Sequence, residues 1–185
     1  MRIGFDLDNT LARYDAIFQR HARALGLAAT SKAEMRALLR QQPDGEARWQ
    51  RVQGSVYGRD MAAAEYYPGL PQFLDRLRRE NATLFIVSHR TEHPHFDTDG
   101  VHLHDAARAW LADQGWLDGW PWAAERVFFE TTRSAKLARI AALNLDVFID
   151  DLPEVLEDAA FPAGVRGILF DPLTAWDGVA RLVLP

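Results

Sequence analysis

Cysteine is absent from all 185 residues of the chain, which excludes disulfide bonds, thiolate catalysis and cysteine-ligated zinc. No apolar run approaches the ~20 residues that a membrane-spanning helix requires. A net charge of −5 argues against a nucleic-acid backbone as partner, because proteins that bind one usually carry a basic surface. The first strand-like run begins at Ile3, so no signal peptide is expected. We therefore expect a cytoplasmic protein that binds neither nucleic acid nor a membrane.

The segment at residues 3–11 combines a short apolar run with a cluster of polar side chains. The run ends in Asp6, Asp8 and Asn9, and residues two apart on a strand point to the same face. Acidic side chains at the carboxyl end of a strand are typical of sites in open α/β sheets. The alternative is a strand followed by a turn, in which Asp8 or Asn9 caps the next helix. An EF-hand calcium loop is excluded, because its glycine position would hold Leu11.

Two further apolar runs, at residues 83–87 and 147–149, have the continuous hydrophobic character of parallel strands that are buried on both faces. Polar residues follow both runs directly: Ser88, His89 and Arg90 after the first, and Asp150 and Asp151 after the second. Residues 127–129 and 165–170 are predicted as additional strands, with helical patterns between the strands. This alternation predicts an α/β fold, with a Rossmann-like parallel sheet and helices on both of its faces.

The carboxyl ends of parallel strands meet at one edge of a sheet, so the acidic residues of separate strands are expected to converge there. Asp6, Asp8, Asp150 and Asp151 would repel one another unless a cation joined them. A few hard oxygen ligands, with room left for water, suit Mg²⁺. Lys136 lies in the first turn of a predicted helix, and a helix-borne lysine beside such strand ends favours a site over a chance arrangement.

The length of the chain suits one domain with an inserted lobe. Residues 13–66 show helical patterns without strand signals, and we predict a small helical cap there, inserted after the first strand. Residues 1–12 and 67–185 would then form the α/β core. Residues 13–65 carry nine Lys and Arg against six Asp and Glu, a net charge of +3. A basic lobe is suggestive of an anionic substrate, but an ordinary solvated helix surface explains the charge equally well.

Nearly the whole chain resembles the haloacid dehalogenase superfamily of aspartate-nucleophile phosphotransferases. The family's four motifs are matched in order by Asp6-Leu7-Asp8-Asn9-Thr10, Ser88, Lys136 and Asp150-Asp151. The resemblance implies that Asp6 is a nucleophile that forms an aspartyl-phosphate. It implies that Asp8 is the general acid and base. An acid at this position also favours phosphoryl transfer to water over dehalogenation within the family.

The resemblance also implies a Mg²⁺ cofactor. The carboxylates of Asp6 and Asp150 and the backbone carbonyl of Asp8 would hold the ion. Asp151 would act through water or orient the other ligands. The ion would screen the nucleophile from the negative phosphate and clamp the transferring oxygens.

The second and third motifs imply a set of residues that binds the phosphoryl group. Ser88 and the backbone N–H of His89 would bind phosphoryl oxygens, and Lys136 would supply positive charge as the phosphoryl group loosens. The sequence leaves open whether Lys136 or one of its neighbours Arg133 and Arg139 is the cation of the third motif.

The resemblance favours the nucleotidase-like and sugar-phosphate branches of the family, in which Asn9 would contact substrate. Arg90 has no counterpart in the family pattern and is predicted to bind a second anionic group of the substrate. The expected function is a Mg²⁺-dependent phosphatase of a small phosphorylated metabolite. Two alternatives stay open: a binding or regulatory module without catalysis, and a phosphotransferase or mutase whose acceptor is not water. The chain is expected to be a monomer or a homodimer.

Five of the six histidines fall within sixteen residues. They are His89, His93, His95, His102 and His104. With Asp97 and Asp99, they suit a transition metal such as Zn²⁺; substrate recognition and an ordinary polar loop are the alternatives. Four of the six tryptophans lie between positions 110 and 122, a pattern that favours core packing over a binding surface.

Overall fold

The computed structural model describes residues 1–96 and 100–184, so Asp97 and Asp99 lie outside the described residues. The strands are β1 (Arg2–Phe5), β2 (Ala12–Arg13), β3 (Glu65–Tyr66), β4 (Thr83–His89), β5 (Val127–Glu130), β6 (Val147–Asp150) and β7 (Arg166–Leu169). The helices are α1 (Asp15–Ala24), α2 (Lys32–Arg40), α3 (Gly45–Tyr57), α4 (Leu70–Arg79), α5 (Leu103–Asp113), α6 (Arg133–Ala142), α7 (Pro153–Leu156) and α8 (Ala175–Val183). Short 3₁₀ turns occupy Met61–Ala63 and Ala124–Arg126.

Five strands form a parallel sheet in the order β5-β4-β1-β6-β7, which confirms the predicted α/β fold. From β1 the chain proceeds to β4 and β5 on one side of the sheet, and then continues to β6 and β7 on the other. The order of the strands therefore reverses between β1 and β6. Open α/β sheets bind ligands at such a reversal, outside the carboxyl ends of the strands. Strands β2 and β3 form a separate two-stranded sheet.

The central strand β1 is buried on both faces, as its apolar sequence predicts. On one face, a Cβ at Gly4 would lie 2.5 Å from Cδ1 of Leu145 and 2.6 Å from Cδ2 of Phe148, so only glycine fits against these side chains. On the other face, the Phe5 ring makes an edge contact with the Trp122 ring at 5.6 Å between centroids. Burying each large apolar side chain contributes roughly 1.5–3 kcal/mol, and the sheet holds the strand ends in fixed register.

Contacts divide the chain into two compact units. Unit 1 comprises Met1–Ala12, Tyr66–Arg90 and Gly115–Pro185, and unit 2 comprises Arg13–Glu65 and Thr91–Gln114. The division differs from the predicted boundaries, which placed residues 91–114 in the α/β core. The physical reason is tertiary: α5 packs against α3 and the 3₁₀ turn before β3, and the buried Trp110 donates a hydrogen bond from Nε1 to the Ala64 carbonyl oxygen at 2.8 Å.

Local signals fix the helices of unit 2. Ser31 precedes α2 and its Oγ accepts a hydrogen bond from the backbone N–H of Glu34 at 3.2 Å, while the Glu34 carboxylate accepts one from the backbone N–H of Thr30 at 2.8 Å. The Ser31 cap satisfies one of the free N–H groups of the first helical turn, and the Glu34 contact ties the residue before the cap to that turn.

Residues 91–114 add one arginine and five acids to the segment predicted as basic, so unit 2 has a net charge of −1. The predicted basic lobe is therefore not a property of this unit as a whole.

Within residues 1–96 and 100–184, no helix has the combined length and apolar character that crossing a membrane would require.

Candidate active site

Three carboxylates meet at the carboxyl ends of β1 and β6. Asp6 follows β1 directly and donates its backbone N–H to the carbonyl oxygen of Ile149 at 2.8 Å, which fixes it beside Asp150, the last residue of β6. One carboxylate oxygen from each of Asp6, Asp150 and Asp151 lies within 4.8 Å of the others. Asp6 and Asp150 are buried. The expected convergence of acids from separate strands is present in the structure.

Lys136 joins two of these acids. Its Nζ lies 2.6 Å from Oδ1 of Asp6 and 2.6 Å from Oδ2 of Asp150, and the side chain is buried. Helix α6 places it there because Thr132 caps the helix, accepting a hydrogen bond from the backbone N–H of Ala135 at 3.1 Å.

The two alternative cations of the third motif point elsewhere. Arg133 Nε lies 3.6 Å from Asp158 Oδ2, and Arg139 Nε lies 2.8 Å from Glu130 Oε1. Of the three candidates, Lys136 is the one that contacts the acidic cluster.

Electrostatics at the cluster are unbalanced. Burial raises the pKa of Asp6 from its ordinary value of 3.8 to about 8; Lys136 opposes this rise, and the charges of Asp150, Asp151 and Asp8 add to it. Burial by itself would lower the pKa of Lys136, but the adjacent carboxylates outweigh burial and raise it. Lys136 is therefore charged, and a single positive charge does not offset the three carboxylates around it.

This imbalance fits a divalent cation. A dication beside Asp6 would favour the ionised carboxylate that burial now disfavours. The donor atoms of the cluster are all carboxylate oxygens, which are the ligands that Mg²⁺ prefers. Asp6, Asp150 and Asp151 would hold the ion. Among the described residues, the side chain of Asp8 does not belong to this group of donors, and the role expected for its backbone carbonyl stays a prediction.

Asp8 is held by Arg90. The guanidinium places Nη2 2.5 Å from Oδ1 of Asp8 and Nε 3.2 Å from Oδ2, an arrangement that fixes both carboxylate oxygens. Arg90 is buried, and its backbone N–H donates to the carbonyl oxygen of Glu130 at 2.8 Å. Sequence reasoning assigned Arg90 to a second anionic group of the substrate, whereas the structure pairs it with Asp8. The pairing was missed because it joins residues 82 positions apart.

The remaining predicted residues surround the same strand ends. Ser88 is buried on β4, and its Oγ has no hydrogen-bond partner among residues 1–96 and 100–184. The same holds for Oγ1 of Thr10, which sequence reasoning quoted in the first motif without assigning it a role. A buried hydroxyl without a partner costs free energy, so both are suited to meet a polar ligand. His89 directs Nε2 to the carbonyl oxygen of Thr131 at 3.1 Å.

Asn9 has a positive φ of 60°, a left-handed conformation that asparagine tolerates better than most residues. Its backbone N–H donates to the carbonyl oxygen of Ala12 at 2.9 Å. This geometry accounts for an asparagine as a turn residue, and the predicted contact of its side chain with substrate stays a prediction.

No model of a protein family matches the chain, and no curated protein matches it. Solved structures do resemble it. A hydrolase from Streptococcus pneumoniae TIGR4 has a TM-score of 0.59 at 14% identity, covering 98% of this chain and 97% of that one. Protein Tyrosine Kinase A from Mycobacterium tuberculosis has a TM-score of 0.58 at 16% identity, covering 91% and 82%. A HAD-superfamily hydrolase from Ehrlichia chaffeensis has a TM-score of 0.53 at 15% identity, covering 98% and 94%.

Identities this low show a shared fold and no more. The acidic cluster lies on the parallel sheet, which has the strand order β5-β4-β1-β6-β7. The chain has the fold of the haloacid dehalogenase superfamily.

Proposed function

We propose that the chain is a Mg²⁺-dependent phosphatase of a small phosphorylated metabolite, of the nucleotide or sugar phosphate class, that works through an aspartyl-phosphate on Asp6. The observation that carries the proposal is the meeting of Asp6, Asp150 and Asp151 around Lys136 at the ends of β1 and β6. Structural relatives that are named hydrolases support the choice of reaction class.

The first half-reaction transfers the phosphoryl group to the protein. A carboxylate oxygen of Asp6 attacks phosphorus, the bond to the substrate oxygen breaks, and Asp8 gives its proton to the departing oxygen. Arg90 orients Asp8 through both carboxylate oxygens. Mg²⁺ would neutralise charge on the transferring oxygens. Lys136 adds a fixed positive charge beside Asp6, which would stabilise the negative charge on the transferring phosphoryl oxygens.

The second half-reaction restores the protein. Asp8, now ionised, takes a proton from a water molecule that attacks phosphorus, and the bond to Asp6 breaks to release inorganic phosphate. The buried hydroxyls of Ser88 and Thr10 would bind phosphoryl oxygens through both steps, which would supply the hydrogen-bond partners that they lack.

The test measures phosphate release from p-nitrophenyl phosphate and from a panel of nucleoside monophosphates and sugar phosphates, with Mg²⁺ or with EDTA. We expect turnover that requires Mg²⁺ and that Asp6→Asn lowers by several orders of magnitude, as loss of a nucleophile does in other enzymes. Asp171→Asn is the control, because Asp171 lies two residues beyond the end of β7 but is exposed and, among the described residues, lies outside the cluster. Retained turnover in Asp6→Asn would overturn the proposal.

The same experiment separates the alternatives. A phosphotransferase or mutase would move the phosphoryl group to an added acceptor alcohol, and product analysis would show a new phosphate ester in place of inorganic phosphate. A binding module would bind the phosphorylated compounds without turnover, and binding would survive in Asp6→Asn.

A further inference from the structure

A second group of metal-ligating side chains lies in unit 2, and the proposed phosphatase reaction does not use it. One donor atom from each of Glu92, His93 and His102 lies within 4.8 Å of the others. Two of the three are histidines of the histidine-rich segment. Glu92 was not singled out from the sequence, because it stands ten positions before His102 and nothing in the sequence shows that the two residues meet.

The backbone brings the two ends of this segment together. The backbone N–H of Leu103 donates to the carbonyl oxygen of Glu92 at 2.7 Å, which places His102 beside the Glu92-His93 pair. The rings of His93 and His102 pack edge to face, with 5.0 Å between centroids. The three side chains therefore converge because the chain is closed by a backbone hydrogen bond, and their proximity does not depend on side-chain contacts alone.

The hydrogen bond of His93 favours metal binding through Nε2, and the surroundings of His102 allow it. His93 directs Nδ1 to the carbonyl oxygen of Val101 at 3.1 Å; this contact requires a proton on Nδ1 and leaves the Nε2 lone pair for a ligand. His102 Nδ1 accepts a hydrogen bond from the backbone N–H of Asp105 at 3.4 Å, and the Asp105 carboxylate lies 3.6 Å from the same nitrogen. Metal binding at Nε2 would move the ring proton to Nδ1, where the Asp105 carboxylate can accept it. A carboxylate in that position orients the ring and raises its basicity toward a metal.

Donor chemistry selects the ion. Two imidazoles and one carboxylate suit Zn²⁺ and similar transition metals, whereas Mg²⁺ prefers oxygen ligands alone. Ligands at ~2.0–2.1 Å in a tetrahedral zinc site are separated by roughly 3.3 Å. The three donors would therefore need to approach by about an ångström or somewhat more, which small rotations of exposed side chains allow. Glu92 and His93 are exposed and His102 is half-buried, so an ion can enter from solvent.

We propose that Glu92, His93 and His102 bind one Zn²⁺ ion, with water completing the coordination. The ion would tie residues 91–93 to the start of α5 and so stabilise unit 2. The site is independent of the proposed phosphatase reaction, because it shares no residue with the cluster around Asp6.

Isothermal titration calorimetry with Zn²⁺ on the full chain, stripped with EDTA and supplied with excess Mg²⁺, tests the site. We expect one bound ion. His93→Gln and His102→Gln should each lower the affinity for Zn²⁺ by more than about 100-fold. Loss of a residue that only hydrogen-bonds a metal ligand typically costs about 10–100-fold, so a larger loss indicates direct coordination. His95→Gln is the matched control in the same segment and should bind like the wild type. Asp150→Asn should also bind like the wild type, since it alters only the acidic cluster.

Thermal unfolding gives a second readout. Zn²⁺ should raise the melting temperature of the wild type, His95→Gln and Asp150→Asn, and leave that of His93→Gln unchanged, while far-UV circular dichroism confirms that each variant is folded. Absence of zinc binding in the wild type would overturn the proposal. So would binding that persists in both histidine variants, or binding that disappears in Asp150→Asn.

Discussion

Replacing Asp6 with asparagine should make the metal-free protein more stable at neutral pH while it abolishes turnover. In the wild type, burial first, and then the nearby carboxylates, raise the pKa of Asp6 to about 8. Between its ordinary value of 3.8 and about 8, the folded state binds more protons than the unfolded state. Stability must therefore fall as pH rises through this window. Asparagine removes the titration, so the contribution of this group to the pH dependence disappears.

The size of the effect follows from one proton. One proton that is bound in the folded state but not in the unfolded state changes the free energy of unfolding by about 1.4 kcal/mol per pH unit. Between about pH 5 and about pH 7, Asp6→Asn should therefore gain about 2–3 kcal/mol relative to the wild type. Other groups titrate in both proteins, so the difference between their profiles isolates Asp6.

Urea unfolding in EDTA, followed by tryptophan fluorescence and circular dichroism, measures this difference across the pH series. Coincidence of the two signals checks that unfolding is two-state, which a chain with two compact units need not satisfy. With Mg²⁺ added, the wild type should be stabilised increasingly as pH rises, because the ion binds the ionised carboxylate. Parallel pH profiles for wild type and Asp6→Asn in EDTA would refute the reasoning, since they would mean that Asp6 is ionised throughout.

Three further substitutions test the roles of the surrounding residues. Asp8→Asn should lower turnover of alkyl phosphates by about 100-fold or more, and of p-nitrophenyl phosphate by less, because an aryl oxide leaves without a proton; equal losses would contradict a role as general acid. Arg90→Lys keeps the charge but loses the two-point contact with Asp8. In steady-state kinetics it should therefore lower turnover of alkyl phosphates more than turnover of p-nitrophenyl phosphate, with a smaller loss than in Asp8→Asn. Lys136→Met should lower the free energy of unfolding in EDTA by about 3 kcal/mol or more at neutral pH, since it leaves buried carboxylates without their partner; a change within error in urea unfolding would show that the ion pair is not needed for the fold.

The sheet could be predicted from sequence because each strand is marked by neighbouring residues alone. Runs such as residues 83–87 are apolar on both faces, and polar residues mark the point where each run ends. The structure extends two of the predicted strands, so that β4 reaches His89 and β6 reaches Asp150, and it shortens the strand predicted at residues 165–170 to Arg166–Leu169. Convergence of the acids followed from topology alone, since parallel strands share one carboxyl edge.

What could not be predicted depends on contacts between distant parts of the chain. Helix α5 has an ordinary helical pattern, but nothing in that pattern says that Trp110 will donate to the Ala64 carbonyl oxygen and bring residues 91–114 into unit 2. Likewise, nothing near Arg90 in the sequence indicates that it pairs with Asp8. Its pairing with Asp8 requires the loop after β1 and the end of β4 to be placed beside each other.

Stability and function make opposite demands on the cluster at the ends of β1 and β6. A fold selected for stability alone would not bury Asp6 and Asp150 beside Asp151 with one lysine to balance them, since such groups cost free energy unless they are fully paired. The surrounding sheet can carry this cost, because β1 and β6 are packed on both faces by large apolar side chains. In the proposed function, the same imbalance would favour a dication and the transition state of phosphoryl transfer, because added positive charge lowers the energy of both. Binding of Mg²⁺ should accordingly stabilise the wild type more than Asp150→Asn, even though the variant begins with fewer repelling charges.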